Sequence, residues 1–392
     1  MKYLLIDGNN LGCRCAFANQ NLRTTTNFST SVHFGFFQSL LTLKKKFSDR
    51  QFLIAWDSKS KRRMQESIKA KESGLVPEAY KENRSKKEQP QAMKDFLEQS
   101  PVLKRALEYT GIPQVCYEGY EADDVIASYA FALGSNSDND VLILTSDADY
   151  NQLLTNNVSI YDGMKMLLKT KDTFIAENSI TPEQFVDVGA LMGDDSDNIF
   201  GVPGCGDTKA FAKIREFGTY NGVIDDANKK MEIFRSKYPD LNTLSDGEIK
   251  FKELSEAKTE KGTIKWKGIS YSMPYTGVAY AFENGEKIKI QKLDLMIAMF
   301  ANRIALAYSL KKMDMVKEAL AEPIQSKADG EKLEEYMRFF EMSSFLQEIY
   351  VFDPKYVSKD VGAFVPVEGK KDGLFFNEKD LLDNNNQWDL PF

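Results

Sequence analysis

Three short apolar runs of this sequence each end in aspartate. They are KYLLID, which ends at Asp7, QFLIAWD, which ends at Asp57, and DVLILTSDAD, which contains Asp147 and Asp149. Their apolar cores are continuous rather than alternating, as in strands that are buried on both faces of a parallel sheet. Segments long enough for crossover helices separate the runs. The pattern predicts an α/β fold with a central, mostly parallel sheet and flanking helices. Ligands of such sheets bind beyond the carboxyl ends of the strands, where these acids lie.

Composition excludes several kinds of site. The 392 residues include one histidine, His33, so a metal site with several histidine ligands is impossible. A Ser-His-Asp triad would have to use that residue, which lies at the start of a predicted amphipathic helix and is interpreted as structural. The four cysteines form no CxxC pair, and no apolar stretch has membrane-spanning length. We therefore expect a cytoplasmic protein with reduced cysteines and no membrane partner.

Charge is unevenly distributed along the chain. The net charge is −7, yet residues 44–105 contain 17 Lys and Arg against 9 Asp and Glu, while carboxylates dominate residues 118–197. This distribution suits an enzyme that binds phosphates beside metal ions, although two solvated surfaces of opposite charge would give the same counts. Residues 59–99 are highly charged and poor in apolar residues. They are predicted to form an arch of helix and loop over the edge of the sheet, mobile without substrate.

The second half of the chain is predicted to be mostly helical. Thr181 and Pro182 give a capped helix start in TPEQFVDVGALMG, and a glycine-rich turn precedes a further helix, AFAKIREFG. Farther on, TIKWKGISYS and GVAYAF are interpreted as two strands of a small hairpin, and KLDLMIAMFANRIALAYSLKKM as one amphipathic helix. The predicted domains are an α/β domain at 1–178, a helix-hairpin-helix region at 179–222, a mostly helical region at 223–368, and an acidic, disordered tail at 369–392.

Carboxylates occur in five clusters that suggest metal chemistry. Besides Asp7, Asp57 and the Asp147–Asp149 pair, the sequence GYEADDVIA contains Glu121, Asp123 and Asp124, and GDDSDN contains Asp194 and Asp197. So many acids in one pocket need compensating cations, and oxygen ligands without His or Cys select Mg²⁺ or Mn²⁺. Helix capping and turn formation explain any single cluster equally well. All five together favour a site with two divalent ions.

The glycine-rich turn GVPGCG follows the last acid pair directly. It resembles a helix-hairpin-helix connection, in which glycines let the backbone approach a phosphate closely. Such a turn contacts the duplex backbone without reading the base sequence.

These motifs together resemble the phage and bacterial 5′ nucleases, the flap-endonuclease and 5′–3′ exonuclease family. The matching elements occur in the family's order within residues 1–220: LIDGNN, WD, YKENR, GYEADDVIA, LTSDADYNQLL and GDDSDNIFGVPGCGDTKA. The resemblance implies that the first seven acids hold the metal ions directly or through water, and that Asp194 and Asp197 complete the environment of the second ion. It implies that Lys81 and Arg84 engage the scissile phosphate. Tyr80 would stack on an unpaired base or pack locally. The DNA-binding residues at the turn would be Gly201, Gly204, Gly206 and Lys209, with a K⁺ ion held by loop carbonyls.

The resemblance implies a monomeric, free-standing phage-type 5′ nuclease that cleaves DNA at single-strand/duplex junctions. Removal of RNA primers and flaps in replication and repair would be its role, plausibly for a phage genome. Two departures remain: no polymerase domain is expected, and residues 223–365 have no assigned role. The terminal QWDLPF resembles the acidic, Pro-Phe-ending tails of single-strand-binding proteins, which dock on replication partners, although an ordinary disordered end is the favoured interpretation. The rival interpretations are a non-catalytic branched-DNA binder, which should have lost several acids, and an RNA-cleaving relative, which should lack the glycine turn.

Overall fold

The computed structural model describes residues 1–86, 88–237, 262–266, 269–273, 279–283, 286–320 and 327–357. The chain divides into two compact units. The first unit contains Met1–Lys61, Lys87–Lys171 and Met313–Phe392, and the second contains Arg62–Lys86 and Asp172–Lys312. The predicted tail at 369–392 lies outside the described residues, and so does part of the predicted region at 223–368.

The strands of the described chain number twelve. They are β1 (Lys2–Asp7), β2 (Gln51–Ala55), β3 (Gln114–Val115), β4 (Asp140–Leu144), β5 (Val158–Asp162), β6 (Leu167–Lys169), β7 (Gly193–Asp194), β8 (Ile199–Phe200), β9 (Gly262–Trp266), β10 (Ile269–Met273), β11 (Ala279–Glu283) and β12 (Glu286–Ile290).

The α-helices of the described chain number thirteen. They are α1 (Gly8–Ala18), α2 (Ser31–Lys46), α3 (Lys61–Glu72), α4 (Glu82–Lys86), α5 (Gln91–Glu108), α6 (Ala122–Gly134), α7 (Lys171–Asn178), α8 (Phe185–Met192), α9 (Asp207–Phe217), α10 (Tyr220–Lys237), α11 (Lys292–Met299), α12 (Ala301–Lys311) and α13 (Gly330–Phe339). Short 3₁₀ helices occur at Ala148–Leu153, Pro182–Gln184, Lys317–Leu320 and Ser343–Val351.

The first unit is built on a six-stranded sheet with the order β3-β2-β1-β4-β5-β6. All neighbouring strands are parallel except β6, which runs antiparallel to β5. Strand β1 lies in the middle, and Leu4, Leu5 and Ile6 are fully buried. The predicted mostly parallel sheet is therefore confirmed. The acids after β1, β2 and β4 lie at its carboxyl edge because these strands are parallel.

Large aromatic side chains fill the space between this sheet and helices α1, α2 and α5. Trp56 and Phe36 stack with ring centroids 5.8 Å apart. Close packing requires glycine at two positions of α1: a Cβ on Gly8 would lie 2.6 Å from the Trp56 ring, and one on Gly12 would lie 2.3 Å from Phe96. Helix α5 begins ten residues before Pro101. Its residues 91–99 lie within the range 59–99 that was predicted to form the arch.

The histidine is structural, as predicted. His33 is 1% exposed, hydrogen-bonded to the Tyr336 hydroxyl and packed on the Phe340 ring at 4.1 Å between centroids. Burial lowers the pKa of His33 to about 3. Helix α13, which supplies these aromatic partners, comes from the region that the sequence left without a role.

The second unit contains the predicted capped helix start. Thr181 forms a capping box with Gln184 around the turn that precedes α8. After α8 the chain forms a tight antiparallel hairpin, β7–β8, in which Asp194 pairs with Ile199. The GDDSDN motif is the turn of this hairpin. Sequence patterns did not reveal it, because strands of two residues are too short for any periodicity.

Two predictions for the later elements were wrong in detail. TIKWKGISYS forms a hairpin by itself, β9–β10, and the GVAYAF strand pairs instead with β12. The predicted single amphipathic helix is two helices, α11 and α12, bent by 75° at Phe300. No single helix among the described residues is long and apolar enough to cross a membrane. The bent pair α11 and α12 reaches the necessary length and apolar composition only when the two helices are taken together.

Candidate active site

Asp7 is the last residue of β1 and the N-cap of α1. Its Oδ1 accepts a hydrogen bond from the Asn10 backbone N–H at 2.8 Å and so caps the helix. Its Oδ2 accepts from the Tyr150 hydroxyl at 3.1 Å. Desolvation, together with the nearby charges of Asp57 and Asp123, raises the pKa of Asp7 to about 8. A carboxyl group so crowded by other carboxylates ionises readily only beside a cation.

Asp57 links the end of β2 to the start of α6. Its backbone N–H donates to the Asn9 side chain at 3.1 Å, and its Oδ1 accepts from the Ala122 backbone N–H at 2.7 Å. The strand itself ends at Ala55, two residues earlier. The Asp57 backbone is therefore held by α1 and its side chain by the start of α6, rather than by strand geometry.

The three acids of GYEADDVIA lie at the N-terminus of α6 and differ in their surroundings. Glu121 and Asp124 form a reciprocal capping box, so the predicted shared face exists. Asp124 is fully buried, and both of its oxygens accept backbone N–H groups, from Glu121 at 3.1 Å and from Asp314 at 2.7 Å. Asp123 is partly exposed and contributes to the raised pKa of Asp7. Asp124 thus has a structural role in this arrangement, whatever ligand it also binds.

Asp147 and Asp149 follow β4 in a helical turn rather than in the strand. Their spacing of two would point both side chains the same way on extended backbone, but the strand ends at Leu144 and a 3₁₀ helix begins at Ala148. Asp147 is its N-cap, and its Oδ1 accepts from the Asp149 backbone N–H at 2.9 Å. Asp149 lies in the first turn of that helix.

Tyr150 shows which acids the fold brings together. It is 1% exposed, and its pKa is raised well above the ordinary value by burial and by the charges of four carboxylates. These are Asp7, Asp123, Asp147 and Asp57. The charges of acids from four separate segments therefore act on one buried hydroxyl. The sequence analysis missed Tyr150, although it directly follows the Asp147–Asp149 pair.

The donor chemistry and charge of this cluster fit a hard divalent cation. Every candidate ligand is a carboxylate, and burial together with the charges of Asp57 and Asp123 raises the pKa of Asp7. Within the described part of the chain, no three His, Cys, Asp or Glu side chains already have the spacing of a metal site. The fold thus brings the charges together without closing them around an ion.

The second unit joins two motifs that are more than a hundred residues apart in sequence. The Lys81 backbone N–H donates to the Asp197 carbonyl at 2.9 Å, and the Asn83 side chain donates to the Asp195 carbonyl at 3.0 Å. Lys81 has a φ of 56°, a conformation that costs energy for a side chain of this type. The YKENR motif is therefore held against the GDDSDN turn.

The predicted phosphate-binding cations contact one of the predicted metal-binding acids. Arg84 Nη2 lies 2.6 Å from Asp197 Oδ1, and Lys81 Nζ lies 3.9 Å from Asp197 Oδ2. Tyr80 is 4% exposed, donates to Asp197 at 3.4 Å and carries Lys81 Nζ over its ring at 4.8 Å. In this arrangement Tyr80 packs locally, which was the alternative to base stacking.

Asp194, the other acid of the pair, contacts Lys311 of α12. The two charged groups are 2.7 Å apart, and the Asp194 Oδ1 accepts from the Ser196 backbone and hydroxyl at 2.8 and 2.6 Å. Burial alone would raise the pKa of Asp194, but Lys311 and the Ser196 hydrogen bonds lower it to about 2. Sequence analysis missed Lys311, because nothing near it in sequence marks a partner 117 residues away.

The three glycines of GVPGCG differ in their surroundings. A Cβ on Gly201 would lie 2.3 Å from the Met192 carbonyl carbon, so only glycine fits there. Gly204 has a φ of 79°, and Gly206 is the N-cap of α9 with open space around it. Lys209 Nζ donates to the Gly204 carbonyl at 2.8 Å. The turn thus presents backbone and one lysine at the start of α9.

Comparison with known proteins identifies the family. Residues 2–185 match the domain described as "5'-3' exonuclease, N-terminal resolvase-like domain", and residues 180–260 match the "5'-3' exonuclease, C-terminal SAM fold". A 5'-3' exonuclease of Aquifex aeolicus is 31% identical over 235 residues, which cover 60% of this chain and 75% of the relative. The chain belongs to the 5′–3′ exonuclease family. The predicted family, fold class and enzyme class are confirmed, so the chain is a nuclease of the exonuclease and flap-endonuclease group.

This chain is also similar to a DNA polymerase and to a phage exonuclease of known structure. The thermostable DNA polymerase I of Thermus thermophilus is 30% identical over 237 residues, which are 60% of this exonuclease-family chain but 26% of the polymerase. A structure described as divalent metal ions (zinc) bound to T5 5'-exonuclease is 28% identical, with a TM-score of 0.47, and the match covers 57% of this chain and 79% of the T5 chain.

Proposed function

We propose that this chain is a structure-specific 5′ nuclease that hydrolyses phosphodiesters near the 5′ end of branched or nicked DNA. The products are a 5′-phosphate and a 3′-hydroxyl. The observation that carries the proposal is that the buried Tyr150 hydroxyl donates to Asp7 and has its pKa raised by burial and by the charges of Asp7, Asp123, Asp147 and Asp57. Such a concentration of carboxylates at the carboxyl edge of a parallel sheet suits metal-dependent phosphodiester hydrolysis.

The proposed cofactor is a pair of Mg²⁺ ions, with Mn²⁺ as a substitute. When bound, the ions supply an activated water and stabilise the leaving oxygen. The proposed ligands, direct or through water, are Asp7, Asp57, Glu121, Asp123, Asp124, Asp147 and Asp149, and the resemblance assigns Asp194 and Asp197 to the second ion.

The chain's own residues orient these ligands. The Tyr150 hydroxyl holds one oxygen of Asp7, and Asn10 holds the other. The Ala122 N–H fixes Asp57, and Asp149 fixes Asp147. Such hydrogen bonds set the direction of each carboxylate before an ion arrives, so less reorganisation accompanies binding.

Lys81 and Arg84 are proposed to bind the scissile phosphate. The proposal is supported by the position of both cations beside the Asp197 carboxylate, Arg84 at 2.6 Å and Lys81 at 3.9 Å. A phosphate offers a similar set of oxygens, and arginine binds it with two parallel hydrogen bonds. The face of the Tyr80 ring would stabilise the Lys81 ammonium that lies over it. Tyr80 would stack on a base only after leaving its buried position.

The glycine turn is proposed to bind the uncut duplex. Gly201, Gly204 and Gly206 leave the backbone open to a phosphate, Lys209 adds a positive charge, and loop carbonyls would hold a K⁺ ion. These contacts carry no base information, so recognition would depend on the shape of the junction.

The proposed role is primer and flap removal in replication and repair, with RNA as well as DNA 5′ ends as substrates. The chain would act as a monomer in the cytoplasm, which is the host cytoplasm if a phage encodes it. The QWDLPF end, which lies outside the described residues, is proposed as a contact for a single-strand-binding or other replication partner.

Cleavage of a 5′-labelled flap substrate tests the proposal. The wild type with Mg²⁺ is expected to release the flap, whereas Asp147→Asn and the wild type in EDTA are not. Asp138→Asn is the matched control, because Asp138 is exposed and precedes the amino end of the same strand, β4. Binding of the junction without cleavage under any divalent metal would instead indicate a non-catalytic junction-binding protein. Cleavage of RNA alone would indicate an RNA-specific nuclease.

A further inference from the structure

Lys311 is an unusual lysine because its charged end is buried. Its side chain is 8% exposed, and that of Asp194, its partner, is 26% exposed. Lysine ammonium groups are strongly hydrated and are rarely buried without a paired charge. The 2.7 Å contact with Asp194 Oδ2 provides that pairing.

Several contacts hold Lys311 in this position. It is the last residue of α12, and its aliphatic chain crosses α8 at Gly189, where a Cβ would lie 3.6 Å from Lys311 Cγ. The end of α12 is held in turn by Arg62, which donates to the Ser309 carbonyl at 2.9 Å, and by Arg63, which donates to the Leu310 carbonyl at 3.0 Å. The contact with α8 and the hydrogen bonds from Arg62 and Arg63 therefore hold the Lys311 ammonium at Asp194.

Two of the three aspartates of the GDDSDN turn, Asp194 and Asp197, have cations of different kinds. Arg84, the partner of Asp197, has a side chain that is 49% exposed, so water and other ions reach it readily. Lys311 has little exposure and a fixed stem. An ion pair of the first kind is weak and exchangeable, whereas breaking one of the second kind leaves a buried charge without compensation.

We propose that Lys311 is a built-in competitor of the divalent cation at Asp194, and that it sets the metal affinity of the GDDSDN turn. This inference rests on the proposed function, in which Asp194 and Asp197 serve the second ion. Lys311 neutralises Asp194, and Ser196 occupies its other oxygen, so a divalent ion has to displace the ammonium or bind through Asp197 alone. Lys311 is thus a positioning residue that acts through Asp194.

Removal of the lysine charge is expected to strengthen metal binding. Without Lys311 the Asp194 carboxylate lacks its cation, and a divalent ion no longer meets a positive charge a few ångströms away. For both Lys311→Met and Lys311→Gln we expect the Kd of the weaker Mn²⁺ site to fall by about tenfold or more. Lys311→Arg keeps the charge and is expected to bind Mn²⁺ like the wild type.

Mn²⁺ titration of the full chain without DNA, followed by the electron paramagnetic resonance of free Mn²⁺, tests this proposal. Lys312→Met is the matched control, because Lys312 is the adjacent residue but is exposed, and it should leave the Kd unchanged. The double variant Lys311→Met/Asp194→Asn should lose the gain, which would place the effect at Asp194.

The possible outcomes are distinct. An unchanged or weaker Kd in folded Lys311→Met or Lys311→Gln overturns the competition. So does unfolding of both neutral variants, seen by circular dichroism, because a mere competitor can be removed without loss of the fold. A wild type that binds no Mn²⁺ contradicts the proposed function itself.

Discussion

At the residue scale, the environment of each acid decides what it can do more than its place in a motif does. Asp7, Asp123 and Asp124 lie in motifs of the same kind, yet Asp7 has a pKa raised to about 8 and Asp124 has both oxygens bound to backbone N–H groups. The sequence identified all of them as acids near strand ends or a helix start. It did not separate them, because the separating contacts come from Tyr150 and Asp314, far away in the chain.

His33 gives a prediction for stability against pH. The folded state holds it neutral with a pKa of about 3, whereas the unfolded chain titrates near 6.5. The unfolded state therefore binds the extra proton between these values, and the free energy of unfolding is full above pH 6.5 and falls as the pH drops toward 3. The contribution of this residue to the slope is at most about 1.4 kcal/mol per pH unit. His33→Gln should flatten the dependence of the free energy of unfolding on pH. Urea unfolding between about pH 4 and 7, a range that overlaps the interval between the two pKa values, measures this slope. An identical slope in both proteins would contradict the assignment.

Lys81 and Arg84 give a prediction for catalysis. If they bind the scissile phosphate, Lys81→Ala and Arg84→Ala should each slow single-turnover flap cleavage by on the order of 10² to 10³. Lys86→Ala is the control, because Lys86 lies in the same helix and pairs with Glu78 and Glu82 instead. Equal rates in all three variants would remove the phosphate role.

At the element scale, hydrogen bonds from the side chains of α3 hold the end of α12 against it. Besides the Arg62 and Arg63 contacts with its end, Arg303 within α12 donates to the Leu75 carbonyl at 2.6 Å. Arg63 is 1% exposed and donates to the Leu310 carbonyl. Arg63→Met should therefore lower the free energy of unfolding by roughly 2–4 kcal/mol, since buried carbonyls lose their donors. Lys69→Met, exposed on the same helix, should change it by less than about 0.5 kcal/mol. Chemical unfolding of both variants measures the difference.

The glycine turn allows fold and binding to be separated. Gly201→Ala places a methyl group against the Met192 backbone at 2.3 Å, so the turn has to shift, at a cost of about 1–3 kcal/mol or more. Gly206→Ala meets open space and costs at most about 1 kcal/mol at the N-cap of α9. Thermal unfolding should rank Gly201→Ala well below Gly206→Ala. If the turn binds duplex backbone, Gly206→Ala should still weaken junction binding, and undiminished binding would argue against that role.

Sequence patterns predicted elements well where periodicity is long and poorly where contacts are distant. Strands β1, β2 and β4 were predicted because continuous apolar runs of four or five residues can only be buried strands or short helices. The bend at Phe300 was missed because α11 and α12 both bury apolar residues, which leaves the hydrophobic pattern unbroken across it. The β7–β8 hairpin was missed because two residues carry no pattern.

At the scale of the whole molecule, each compact unit contains its own group of proposed site residues. The first unit supplies the acids around Tyr150, and the second supplies the YKENR and GDDSDN motifs held against each other. Motif order along the chain was enough to predict the family, since each motif is local. Which acid has a resident cation was not predictable, because Lys311 and Asp194 are joined only by the packing of α12 on α8.

The most direct test of the account is the rate of flap cleavage by Asp7→Asn as a function of Mg²⁺ concentration. Asp7 is the acid whose pKa reports the crowding of the cluster, and the substitution keeps its size while removing its charge. The account predicts single-turnover cleavage at least about 100-fold slower than the wild type at every Mg²⁺ concentration. Cleavage by Asp7→Asn at the wild-type rate would contradict the claim that this carboxylate cluster holds the catalytic ions.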